Sequence, residues 1–131
     1  MKIQGRLAVA ACLATLIAAT ASVAQAPGIK RTLLQKSDVG HGMEAILGLA
    51  EIAAGGSTGR HTHFGVETGY VIEGNGTLEI DGQAPLALKP GDSYTIPAGT
   101  VHNAKALGPG ASKVLATYIV EKGKPLATPA P

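Results

Sequence analysis

From residue 43 onward, apolar and polar positions along the chain fall into short stretches with a period of two, cut at close intervals by glycine and proline. Leu78 and Ile80 alternate with Thr77, Glu79 and Asp81, the pattern of a strand with one dry face. In Lys113 to Glu121, Val114, Ala116, Tyr118 and Val120 fall on one side and Leu115, Thr117 and Ile119 on the other, which predicts a strand buried on both faces. Met43 to Ala53 is apolar, broken only by Glu44 and Glu51, too irregular for a helix and without helix caps, and is read as a strand. Further strands are expected at Arg31–Lys36, Gly69–Glu73 and Ser93–Ile96.

The breaks between these stretches have turn chemistry. Asp81-Gly82 is a hairpin signal because both residues tolerate positive φ. Gly74-Asn75-Gly76 predicts a tight reversal between two neighbouring strands, and Lys89-Pro90-Gly91-Asp92 and Pro97-Ala98-Gly99 predict two more turns. Eighteen glycines and eight prolines set among short strands, with no helical period in the mature region, imply one all-β domain, a compact barrel or jelly roll. The tail from Gly123, with Pro125, Pro129 and Pro131, is expected to be irregular and loose.

The first 24 residues have a different character. Lys2 and Arg6 precede an apolar run, Leu7 to Ala19, and small residues follow at cleavage spacing, which describes a secretory signal peptide cut after Ala24. A cut after Ala26 also fits the spacing but sets Pro27 beside it, and the apolar run is short for the roughly 20 residues that span a bilayer. The expected mature domain, 25–131 with its core at about 43–121, is therefore periplasmic or secreted and free of the membrane. Cleavage removes Cys12, the single cysteine, so neither a disulfide nor a thiolate ligand is available. It also lowers the basic count from 11 to 9 against 9 acidic residues, so the formal charge of +2 becomes zero. Without a basic patch, nucleic-acid binding is not expected.

The chemistry lies in four residues. Gly55 to Gly74 reads G-x5-H-x-H-x3-E-x6-G, with His61, His63 and Glu67, and Gly91 to His102 reads G-x5-P-x-G-x2-H. Residues i and i+2 of a strand share a face, about 6.7 Å apart at the usual rise per residue, so His61 and His63 can converge on one ion. A lone His-x-His in a β protein is more often a surface pair; the glutamate, the glycine frame and the second motif carry the assignment. His41, between two glycines, reads as a loop histidine.

These two segments resemble the signature motifs of the cupin superfamily, small single-domain type-2 jelly-roll barrels that hold a metal ion inside. The first motif matches at Gly55, His61, His63, Glu67 and Gly74, and the second at Gly91, Pro97, Gly99 and His102. An asparagine often found four residues after the last histidine is replaced by Ala106, with Asn103 beside His102 instead. The resemblance implies that His61, His63, Glu67 and His102 are ligands of a divalent transition metal ion. Nitrogen and oxygen donors without sulfur suit Mn, Fe, Ni, Cu or Zn.

Around this set, Ile72, Leu78, Ile96 and Val101 are expected to form core and pocket wall. Tyr94, Asn103, Glu73 and Lys105 are the polar residues near the motifs, each more readily explained as exterior or structural. No acid, base or substrate clamp is evident, so no catalytic residue is assigned. Two functions follow: a metal-dependent enzyme of the bacterial envelope acting on a small molecule, of oxygenase, decarboxylase or isomerase type, or a non-catalytic module that binds a small ligand or the metal. A homodimer is expected, with Ile29–Lys36 as an edge strand offered to a neighbour.

Overall fold

The computed structural model describes residues 28–131, and the predicted leader lies outside them. The chain runs β1 (Ile29–Gly40), β2 (Met43–Ile52), β3 (His61–Thr62), β4 (Gly65–Glu73), β5 (Asn75–Ile80), β6 (Leu86–Leu88), β7 (Ser93–Ile96), β8 (His102–Leu107), β9 (Ser112–Glu121) and β10 (Thr128–Pro129). No helix occurs among the described residues. The strands form two five-stranded sheets, β1-β2-β9-β4-β7 and β10-β3-β8-β5-β6, with every pairing antiparallel. This is the expected jelly-roll barrel.

The two-sided pattern read from the sequence is found on β9, but only one of the two faces is fully buried. Val114, Ala116, Tyr118 and Val120 are buried, whereas Leu115, Thr117 and Ile119 are half-buried on the outer face. On β5, Leu78 and Ile80 turn inward and pack with Ile96, Leu88, Tyr94 and Ala104. Ile46, Ala116, Tyr118, Val120 and Leu126 form a second cluster, and Ile29, Ile52, Ala106, Ala50 and Ala104 a third. Together these clusters fill the space between the sheets, and burial of their side chains supplies the main driving force for folding.

Several expectations need correction. Gly74 does not close a hairpin within one sheet: β4 and β5 lie in different sheets, and Gly74, at φ 77°, turns the chain from one to the other. A Cβ there would come within 2.4 Å of the Ala111 carbonyl oxygen, so the corner is closed to larger residues. Asp81-Gly82 does open the β5–β6 hairpin, but the connection runs on to Pro85. Ile72 points outward and is 48% exposed, whereas Leu78 and Ile96 are buried as expected.

The tail is not loose. Thr128 and Pro129 pair with Thr62 and His61, Ala130 N–H donates to the Arg60 carbonyl, and Leu126 packs on the core. Proline spacing concealed this strap, because an edge strand tolerates a residue without an N–H where no ladder bond is required. β1 is also longer than predicted, at 12 residues, and pairs along one side with β2 of its own chain. His41 occupies the turn between them with φ 52°, as a loop histidine should.

Candidate metal centre

The structure brings together all four residues singled out from the motifs. One donor atom from each of His61, His63, Glu67 and His102 lies within 4.8 Å of the others, and all four side chains are buried. They come from both sheets. His61 on β3 stands directly opposite His102 on β8, His63 follows in the link to β4, and Glu67 lies on β4 between β9 and β7. The Pro97–Thr100 turn is tied to this link by Gly99 N–H donating to the His63 carbonyl, which sets His102 against the first motif.

Each imidazole is oriented by its Nδ1. That of His61 donates to the Gly59 carbonyl at 2.8 Å, that of His102 to the Thr100 carbonyl at 2.9 Å and that of His63 to the Leu126 carbonyl at 2.5 Å. With the proton held on Nδ1, a neutral ring presents the Nε2 lone pair inward. Nε2 of His63 lies 2.7 Å and Nε2 of His102 3.3 Å from Oε2 of Glu67.

These two nitrogens are buried and, with the rings neutral, have no hydrogen-bond partner among the described residues. Lone pairs of nitrogen turned toward a carboxylate at such distances repel unless positive charge lies between them. A proton on Nε2, making an ion pair with Glu67, is one way to place positive charge there, and a metal ion is the other. With the rings neutral, three imidazoles and one carboxylate converge with their acceptor atoms, a donor set that fits a divalent cation.

The electrostatics agree. Burial lowers His61 to about 4, the Gly59 carbonyl opposing and His102, His63 and Arg31 adding to the shift, so the ring is neutral near pH 7. For Glu67, burial works to raise the pKa, but protons on the facing Nε2 positions of His102 and His63, standing where a cation would, outweigh it by hydrogen bonding and hold the group at about 2.

Sequence reading missed one member of the site. Tyr94 is not an exterior residue: its hydroxyl donates to Oε1 of Glu67 at 2.9 Å, and burial followed by the Glu67 charge raises its pKa well above the ordinary tyrosine value, so it remains a donor. The available signal was Gly69, which stands opposite Tyr94 in the β4–β7 register. A Cβ at Gly69 would lie 2.2 Å from Cζ of Tyr94, so only glycine lets the ring cross β4 to Glu67. Tyr118 also lines the cavity, its ring 4.9 Å from that of His63; burial and the Glu67 charge raise its pKa, with Arg31 opposing.

The other polar candidates are structural. Asn103 donates to Glu79 and accepts from Thr58, while Lys105 pairs with Glu79 and Glu73 with Lys113 at the surface.

Residues 48–118 match the cupin domain family, and the chain belongs to that family. A comparison with curated proteins finds no match. Among solved structures, the chain resembles a cupin-2 domain from Rhodospirillum rubrum at 22% identity and TM-score 0.66, over 84% of this chain and 70% of that one. It resembles a cupin superfamily protein from Desulfitobacterium hafniense at 22% identity and TM-score 0.61, over 75% and 83% respectively. The DMSP lyase DddQ from Ruegeria pomeroyi is similar at 19% identity and TM-score 0.60, over 66% of this chain and 43% of the lyase. At these identities the likeness concerns the fold.

Proposed function

We propose that the protein is a metal-dependent enzyme whose ion is held by Nε2 of His61, His63 and His102 and by Glu67, and which acts on a small molecule in the barrel. The observation that carries this reading is the convergence of three imidazoles, each with Nδ1 on a carbonyl, on one buried carboxylate. The chemistry belongs to the oxygenase, decarboxylase or isomerase classes open to such a donor set, with Mn, Fe, Ni, Cu or Zn as the ion. When bound, the ion supplies Lewis-acid or redox chemistry according to its identity.

The chain's own residues do the rest. Carbonyls of Gly59, Thr100 and Leu126 fix the tautomers, Tyr94 holds one oxygen of Glu67 and leaves the other facing the imidazoles, and the apolar clusters keep bulk water from the donors. His102→Ala is expected to remove most of the bound metal from natively purified protein while the barrel stays folded. Wild-type metal content by elemental analysis in a folded variant would overturn the assignment.

The shortage of polar side chains around the donors favours a second reading, a module that binds without turnover. Dioxygen uptake or product formation by the metal-loaded protein, assayed across small acids, phenols and sugars, supports the enzyme. Saturable binding with no product supports the module. The address and assembly proposed are those of a periplasmic or secreted homodimer. The leader pattern supports the address, and the second edge of β1, with Leu33, Leu34 and Val39 exposed, supports the dimer. Native mass spectrometry is expected to give twice the mass of a chain starting at Gln25; a monomer retaining its leader would contradict both.

A further inference from the structure

The clearest unexplained group in the molecule is a cation. Among the described residues, six lysines and Arg60 form ion pairs with carboxylates, and Lys124 lies 5.2 Å over the ring of Phe64. Arg31 is the one basic residue left, with neither a carboxylate nor a hydrogen-bond acceptor among those residues. It is not at the surface like most of the others. It lies on β1 two residues after the buried Ile29, opposite Ala50 of β2, and is half-buried.

The surroundings of Arg31 show what its charge faces. It lines the small cavity of about 20 Å³ that also holds His61, Glu67 and His102, and an adjoining groove of about 160 Å³ formed with Leu33, Ile46, Leu49 and Leu126. Tyr118 lines both spaces and has no hydrogen-bond partner for its hydroxyl among the described residues.

Glu67 is the sole acidic residue of either lining, and its oxygens already face Tyr94 on one side and His63 and His102 on the other. A guanidinium drawn partly out of water without an anion is disfavoured, and its planar fork matches a carboxylate. We infer that the substrate or ligand is a monocarboxylate with a short apolar body, its carboxylate held by Arg31 and the Tyr118 hydroxyl and its apolar part lying in the groove beneath Leu126.

The assignment rests on the reading of the barrel interior as a small-molecule site, and it deepens that reading by naming the charge and polarity of the occupant. In the metal-free barrel a single guanidinium and a hydroxyl balance one negative charge, and a phosphate dianion would need a further cation there. The apolar groove selects against very small, fully polar anions.

Titration calorimetry with hexanoate and its uncharged counterpart hexanamide tests this, on protein treated with chelator and on protein loaded with zinc. Hexanoate is expected to bind the wild type about tenfold or more tightly than hexanamide, in both metal states. Arg31→Met, which keeps an apolar stem of similar reach, is expected to erase that difference, and Arg31→Lys to keep part of it. Equal binding of the two probes by the wild type needs no variant and would overturn the assignment, as would an undiminished preference in folded Arg31→Met or tighter binding of inorganic phosphate. A preference seen only with zinc, and untouched at Arg31, places the anion on the metal and also overturns it. A preference that survives in protein unable to take up zinc supports the assignment while removing the metal reading, so the two fail separately.

Discussion

The four donors fall into two pairs that are held in different ways. His61 and His102 each rest on a carbonyl two residues back, from Gly59 and Thr100, so the turn leading into each strand also sets the ring that follows. His63 and Glu67 are held from afar: His63 by the Leu126 carbonyl 63 residues later, and Glu67 by the Tyr94 hydroxyl 27 residues later. The rings of the local pair are oriented by their own turns, although the strap also pairs with β3 at His61. The remote pair depends on the closed barrel and on the C-terminal strap staying docked.

The largest effect that separates the pairs is expected from removing the strap. Deleting residues 125–131 takes away the Leu126 carbonyl and leaves both local carbonyls in place. His63 is then free to change tautomer and rotate, and loss of such an outer hydrogen bond commonly costs 10–100-fold in metal affinity. Zinc affinity is expected to fall about 100-fold, measured by competition with a chromophoric chelator, with the β-sheet circular dichroism retained. An unchanged affinity would show that His63 is held by its own link and would dissolve the distinction between the pairs.

This division also explains what could be read from the chain. His61, His63, Glu67 and His102 were legible because the motifs encode them within two short windows, and β9 was legible because alternation persists over nine residues. The supports from Leu126 and Tyr94 were not. A carbonyl leaves no trace in side-chain identity, and Tyr94 reads as one more aromatic in a short strand until Gly69 is placed opposite it. β8 escaped notice for a related reason: His-Asn-Ala-Lys-Ala-Leu has no clear alternation, and its strand character comes from pairing with β5 along six residues. The unpredicted β10 and the two-residue β3, which ends at Thr62 and leaves His63 outside the strand that the His-x-His reading assumed, exist only through their partners.

A smaller effect concerns the local pair and acid. The folded protein holds His61 at about 4, against about 6.5 for a free imidazole, so the unfolded chain takes up that proton first as pH falls. The resulting sign is a loss of stability on acidification: the contribution is complete above pH 6.5, declines between 6.5 and about 4, and is constant below. Glu67, at about 2 in the folded state against 4.5, adds a further loss from about 4.5 down to 2. Urea unfolding of metal-free protein is expected to show stability lower by on the order of 1–2 kcal/mol at pH 4.5 than at pH 7, after allowance for screening of the ring. The His61→Gln variant is expected to lose most of that slope. A slope unchanged by the substitution would mean that the ring is not kept neutral by its setting.

The smallest effect expected is at Tyr94, and it tests whether remote support matters for a carboxylate as it does for an imidazole. Tyr94→Phe keeps the ring over Gly69 and removes only the hydroxyl that donates to Oε1 of Glu67. Glu67 stays ionised and faces His63 and His102 through Oε2, so its charge still favours a cation; what is lost is the constraint on its rotation. A carboxylate can offer either oxygen, whereas a histidine in the wrong tautomer offers none. Metal affinity should therefore drop by about tenfold, the low end of such losses and well short of the strap deletion. Gly69→Ala approaches the same contact by crowding, since its Cβ would displace the Tyr94 ring, and should match the affinity loss while adding about 1–3 kcal/mol of destabilisation from overpacking. If Tyr94→Phe instead weakened metal binding as much as the strap deletion, orientation of Glu67 would rank with that of His63, and the carboxylate would be a positioned ligand rather than an adaptable one.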